Sequence, residues 1–319
     1  MKAKRELGLL GVLIVLIVLC TLKEPNFMSP RNINSILLWM PLLLVAAIGQ
    51  FPVIVARGID ISVGSIVGLS AITTGVILKT HPNLPLSIPF GIGVLVGLAL
   101  GFINGFLVTV GKIPAVVTTI GTLTLYRGLT FMVSGGEQID ASYIPEPLTV
   151  LANSGINIGQ VTISWLLVIG IIFSLLAGFA VKYSQLLRNV FAYGSNPDAA
   201  YLRGISPNAV QIFCYAFSGF MGGIAGIMFL ARFGNASPSS AGSGFELVVI
   251  ASVAIGGVKI TGGSGSVLGV FLGCALLSCI NVALTALKFN ADWQLLIYGL
   301  TILISLIIDA LSQRKRSLA

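Results

Sequence analysis

The chain has 319 residues, of which 56% are hydrophobic and 9% charged, and its mean hydropathy is +1.01. That composition excludes an ordinary soluble domain, and the apolar runs are continuous rather than alternating, which argues against a β-barrel. The expected fold class is an all-α polytopic membrane protein, one transmembrane domain over residues 1–319, and the net charge of +8 has to be read from where the cations fall.

Lys2, Lys4 and Arg5 precede a first apolar stretch, Leu7 to Leu22. A cleaved signal peptide would begin this way too, but no small-x-small site follows and Leu19 before Cys20 breaks a lipobox, so a retained span is expected. Further spans are expected at Ile36–Ala56, Ile61–Leu78, Leu86–Val110, Ile113–Val133, Val161–Val181, Ala209–Ala231, Phe245–Val258, Ser264–Leu287 and Trp293–Leu311. These make about ten transmembrane helices. The third and eighth are short or glycine-interrupted, as a broken or re-entrant helix would be.

Between the sixth and seventh spans lies a polar interval, Lys182 to Asn208. Within it G-S-N-P-D-A-A-Y-L-R-G spells a helix of about two turns with both ends specified. Asn196 is the N-cap, Pro197 the first helical residue and Asp198 a first-turn anion. Ala199 and Ala200 favour helix, Arg203 is a last-turn cation and Gly204 a C′ glycine. So short a helix needs a surface to lie on. That surface is either the membrane interface or a cytoplasmic partner.

Both termini inside is the orientation that the cations support. Lys2, Lys4, Arg5, Arg57, Lys112, Lys182, Arg188, Arg203, Lys259, Arg314, Lys315 and Arg316 then face the cytoplasm, twelve of eighteen. Lys23, Arg31, Lys79, Arg232 and Lys288 face outward, and Arg127 lies within a span. The longest outer loop, Ser134 to Gln160, carries Glu137, Asp140 and Glu146 and no cation. The asymmetry accounts for the basic charge without nucleic acid.

Gly93, Gly97, Gly101 and Gly105 recur every fourth residue, as do Gly265, Gly269 and Gly273, a spacing that lets helix backbones approach in lipid. The first series runs through Asn104 to Gly121 and the second through Asn281 to Gly299. In a ten-span chain the two helices run in opposite directions, so two five-helix inverted repeats are expected, with solute passing at their interface.

Catalytic constellations are missing from the sequence. There is no Walker A loop, and the glycine-rich Gly256–Ser266 places Lys259 out of P-loop register. His81, the one histidine, sits in a proline-flanked loop, and Cys20, Cys214, Cys274 and Cys279 fall in apolar runs without metal spacing. Candidates for a translocation path are the polar groups in or near the membrane: Asp60, Asn104, Arg127, Glu246 and Asn281. Simpler roles compete: Asp60 as a cap on the next helix, Glu246 as a first-turn anion, Arg127 as a snorkelling side chain, and Asp309 beside Arg314 at the interface.

Several stretches together resemble the permease subunits of bacterial ATP-binding-cassette sugar importers, the ribose, xylose, arabinose, galactose, rhamnose and autoinducer-2 group. They are G-I-D-I-S-V-G-S (Gly58–Ser65), G-F-I-N-G (Gly101–Gly105), K-I-P-A-V-V-T-T-I-G-T-L (Lys112–Leu123), Y-G-S-N-P-D-A-A-Y-L-R-G-I (Tyr193–Ile205) and F-E-L-V-V-I-A-S-V-A-I-G-G-V-K-I-T-G-G-S-G-S (Phe245–Ser266). The resemblance implies a bacterial inner-membrane permease that works with a second permease copy, identical or not. It also implies two cytoplasmic ATPase subunits or one fused tandem ATPase, and an extracytoplasmic solute-binding protein. ATP and Mg would be used by the ATPase, with no cofactor in this chain. Asn196–Gly204 would be the coupling helix seated in the ATPase, with Ala199 and Ala200 facing or flanking its cleft. The rival readings are an ion-coupled secondary transporter of a small polar solute and a membrane enzyme or scaffold.

Overall fold

The structure, a computed structural model, describes residues 2–290 together with 293, 296–300, 303 and 307. In chain order its helices are α1 (Lys2–Lys23), α2 (Pro30–Val55), α3 (Val63–Thr80), α4 (Ser87–Thr109), α5 (Ala115–Ser134) and α6 (Glu146–Asn153). After a hairpin of β1 (Gly155–Ile158) and β2 (Val161–Ser164) come α7 (Trp165–Tyr183), α8 (Gln185–Ser195), α9 (Pro197–Leu202), α10 (Pro207–Phe233), α11 (Phe245–Ile255) and α12 (Val267–Ala286). Among the described residues eight helices are long and apolar enough to cross a bilayer: α1, α2, α3, α4, α5, α7, α10 and α12. The protein is an all-α polytopic membrane protein.

Helices stand at every expected span but the last; Trp293–Leu311, with Asp309 and Arg314 to Arg316, lies largely outside the described residues. The third span is a continuous helix of 18 residues, so its glycines do not interrupt it. They serve close packing instead: a Cβ on Gly64 or Gly68 would meet the carbonyl of Gly242 or Ala241 within 2.5 Å. The eighth is the short one. α11 has 11 residues, too few to cross alone. The sixth starts later than expected, because residues 155–164 alternate and turn at Gly159 (φ +62°) into the hairpin, and α7 begins at Trp165 under a Ser164 cap.

The core is centred on α2, buried from Met40 to Val55, and on α10 against it. The glycine series of α4 meets α10 backbone to backbone. A Cβ on Gly97 would lie 2.4 Å from the Gly219 carbonyl oxygen, and one on Gly101 2.2 Å from that of Tyr215. Gly93 meets Thr74 of α3 and Gly105 meets Ile212. On α12, Gly269 and Gly273 pack on Gly256 and Ser252 of the α11 end. Gly265 does not share their face: Ser266 caps α12 through its bond from Gly269 N, which leaves Gly265 in the preceding turn, against Phe51 and Val258.

Exchanging α2 with α10, α3 with α11 and α4 with α12 maps packed pairs onto packed pairs. The α4–α10, α3–α10 and α3–α4 contacts become α12–α2, α11–α2 and α11–α12, all present. Residues expected on one side of the membrane also meet. At one end Arg57, Gly194, Ser195 and Gly263 touch one another. At the other, Ile139 pairs with Ala236, and Lys79 Nζ lies 2.6 Å from Glu137 Oε2, holding the exposed Glu137 carboxyl below its ordinary range.

Candidate functional site

Chemistry at the α8–α9 end begins with the caps. Asn196 Oδ1 accepts from Ala199 N at 3.1 Å, Pro197 and Asp198 occupy the first turn, and Arg203 closes the helix before Gly204, whose φ is +81°. The residues before it are helical as well. α8 is amphipathic, burying Val190 and Tyr193, so the polar interval is two helices rather than a loop carrying one. Ala200, expected with Ala199 to face or flank a partner's cleft, is 2% exposed and packs against its own chain, whereas Ala199 is exposed. The outward apolar groups are Tyr201, 68% exposed, and Leu202, 85% exposed. Two large apolar side chains on a capped six-residue helix form a contact surface without a contact.

Arg57 fastens this element to the core. α2 ends with Arg57 N bonded to Ile54 O and Gly58 N to Val53 O, the paired bonds of a Schellman motif. Arg57 therefore takes the left-handed position (φ +66°) that glycine usually fills, at a cost of roughly 1–2 kcal/mol. Its guanidinium offsets that strain by donating from Nε to Gly194 O at 2.7 Å and from Nη2 to Ser195 O at 2.8 Å. Gly263 N in turn donates to Val55 O at 2.9 Å. A Cβ on Gly194 would overlap Val55 O, so only glycine permits the approach.

Three residues beyond Arg57, Asp60 is fully buried, with 0% exposure. Its Oδ1 accepts from Ser62 N at 3.0 Å and Ser62 Oγ at 2.6 Å, and its Oδ2 accepts from Ser218 Oγ on α10 at 2.9 Å. Asn104 Nδ2 on α4 donates to Ser62 Oγ at 2.7 Å, and Tyr126 OH on α5 lies 3.0 Å from both Asn104 Oδ1 and Leu100 O. Asp60 lies two residues before Ser62, the N-cap of α3, and it links the start of α3 to α10 through Ser218 and to α4 and α5 through Ser62 and Asn104. A carboxylate is tolerable in this interior because three donors meet it.

Residues 32–306 match the family described as branched-chain amino acid transport system / permease component. The autoinducer 2 import system permease protein LsrC of Photorhabdus luminescens is 37% identical over 306 residues, 96% of this chain and 89% of that protein. The LsrC permease of Yersinia enterocolitica is 36% identical over 306 residues, 96% of this chain and 82% of its own. No solved structure gives a significant match. The chain belongs to this permease family.

The remaining candidates of the permease lie toward the opposite end. Arg127 does not snorkel: its Nη1 donates to Ala241 O at 2.6 Å in the α10–α11 connection, because that turn packs against α3 and presents a carbonyl to it. Glu246 stands in the first turn of α11, and its buried Oε2 has no hydrogen-bond partner among the described residues. Asn281 donates to Tyr298 OH at 3.1 Å. It lines a cavity of about 460 Å³ with Trp39, Phe229, Phe233, Ser237 and Tyr298. Trp39 and Phe233 meet edge to face, and Arg232 lies 4.2 Å over the Trp39 ring while donating to Leu38 O. Aromatic faces with neutral amide and hydroxyl groups suit an uncharged polyhydroxylated solute.

The structure therefore joins Asp60 with Asn104, places Arg127 and Glu246 around one turn, and leaves Asn281 apart in this cavity. Sequence reasoning missed Ser62, Tyr126 and Ser218, whose hydroxyls are ordinary in a span, and Arg57, read only as a topology cation. An arginine directly before glycine at a span's end was the available signal. Among the described residues no three His, Cys, Asp or Glu side chains come together to hold a metal ion.

Proposed function

We propose that this permease is the membrane subunit of an ATP-driven importer for a small sugar-like solute of the pentose, deoxyhexose or autoinducer-2 class. The observation that carries the reading is α9: a capped helix presents Tyr201 and Leu202 to solvent and directly follows the end of α8, which Arg57 clamps to the core. Its partners are a second permease copy, cytoplasmic ATPase subunits that use ATP and Mg, and an extracytoplasmic binding protein that delivers the solute. Both termini and α8–α9 face the cytoplasm, and the 134–160 loop faces outward, the orientation that puts most cations inside. Docking at α9 moves Gly194 and Ser195, Arg57 follows, and the Asp60 network carries the displacement into α3, α4, α5 and α10. A rigid lever of this kind transmits motion between two packed states rather than bending.

Uptake in intact cells separates this reading from ion coupling. Depleting ATP at a maintained proton gradient abolishes uptake, and an ionophore at maintained ATP leaves it intact. The reverse pattern would assign the permease to the ion-coupled secondary transporters.

A further inference from the structure

Beside Arg57, the α2–α3 and α4–α5 connections and the first turns of α10 enclose a cavity of about 500 Å³. Arg57, Lys112, Thr109, Asn208, Gln211 and Tyr215 supply its polar lining, which holds no carboxylate among the described residues. The starts of α5 and α10 and the ends of α2 and α4 all open on it, so their dipoles offset and the two cations set its sign. Both cations sit in the left-handed backbone region, at φ +66° for Arg57 and +51° for Lys112, which non-glycine residues seldom occupy. The Tyr215 hydroxyl is buried against the Ile59 backbone, and its proton has no acceptor among the described residues, an arrangement that calls for a ligand or water. Val110, Val116 and Val117, exposed apolar side chains, neighbour the cavity-lining Thr109 and Ala115 in sequence.

We propose that this cavity binds a phosphate-type oxyanion, carried either by the headgroup of an anionic phospholipid or by free phosphate. Lys112 supplies a point charge, Arg57 the donors of the terminal nitrogen not held by Gly194 and Ser195, and Tyr215 a hydroxyl donor. Basic pockets between spans are where anionic headgroups lodge. The occupant touches the same guanidinium that clamps α8, so it bears on the docking element directly.

The test uses the purified full-length permease, titrated with short-chain phosphatidylglycerol, phosphatidylcholine or inorganic phosphate, with binding read by native mass spectrometry. Lys112→Gln and Tyr215→Phe are compared with Lys182→Gln, which makes the same charge change outside the cavity. Wild type and K182Q retain phosphatidylglycerol over phosphatidylcholine, and K112Q binds it about tenfold more weakly, the loss of one charge-assisted hydrogen bond. Y215F, which removes only a hydroxyl whose proton has no acceptor among the described residues and so keeps the fold, is weakened by a smaller factor. Retention of inorganic phosphate with the same ranking of variants, and displacement of the lipid by it, would assign the site to the free anion. Equal binding by K112Q, Y215F and K182Q to both probes would overturn the proposal.

Discussion

The α2–α3 connection (Ala56–Ser62) and the α10–α11 connection (Gly234–Gly244) occupy equivalent places in the two halves of the permease, and they are built oppositely. The first is short, and its one left-handed residue is Arg57, whose side chain reaches α8. It buries a carboxyl group, Asp60, whose oxygens are filled by neighbouring hydroxyl and amide groups. The second uses glycine at its left-handed positions Gly234, Gly242 and Gly244, takes a cation from α5, and opens onto the aromatic cavity. One connection ties neighbouring elements together and the other shapes space. The same packing frame serves both because the specialisation resides in a few side chains.

The largest effect expected from breaking this contrast is at Asp60. Asp60→Ala strands three donors in the interior and costs roughly 3 kcal/mol or more, read as a lowered melting temperature in detergent. Gly242→Ala comes next, at about 2–3 kcal/mol, because its Cβ would lie 2.1 Å from Gly64 O and the backbone must shift. Gly234→Ala shares the left-handed strain but meets nothing within 4 Å, so it costs only about 1 kcal/mol. Equal melting losses for the two would show that the α10–α11 turn does not pack tightly on α3. Arg127→Ala falls between them, at about 1–2 kcal/mol, for one charge-assisted bond to a turn carbonyl.

How much of this was legible follows from range. The caps of α9 are local chemistry, and Asn196, Pro197 and Gly204 stand where their residue types place them. The glycine spacing on α4 announced a close contact but not its partner, Gly219 on α10, which the chain reaches more than a hundred residues later. Asp60 read as a cap because Asp-x-Ser makes the same local turn on the surface and in the core. Ser218, which fills its second oxygen, is 158 residues away. Ala200 and Leu202 are both good helix formers, and only the packed structure says which one faces inward.

A modest stability change is expected at Arg57. Arg57→Gly relieves left-handed strain of roughly 1–2 kcal/mol while removing two carbonyl bonds worth about 1–2 kcal/mol each, a net loss of about 1–2 kcal/mol. The variant reaches the membrane at normal level and loses uptake, which a side chain needed only for folding would not do. Ala199→Glu and Ala200→Glu also divide: the exposed position keeps its expression, whereas the buried one lowers the yield of folded protein.

Docking at α9 is the central claim, and Leu202→Glu tests it most directly. Leu202 is 85% exposed in the free chain, so the substitution leaves the fold untouched, yet it places a carboxylate in any contact made there. Co-purification of the ATPase with the membrane-inserted permease is measured in wild type and variant. Loss of the ATPase by roughly tenfold or more, at unchanged permease level, is the expected result. Full recovery of the ATPase with the variant would contradict the account.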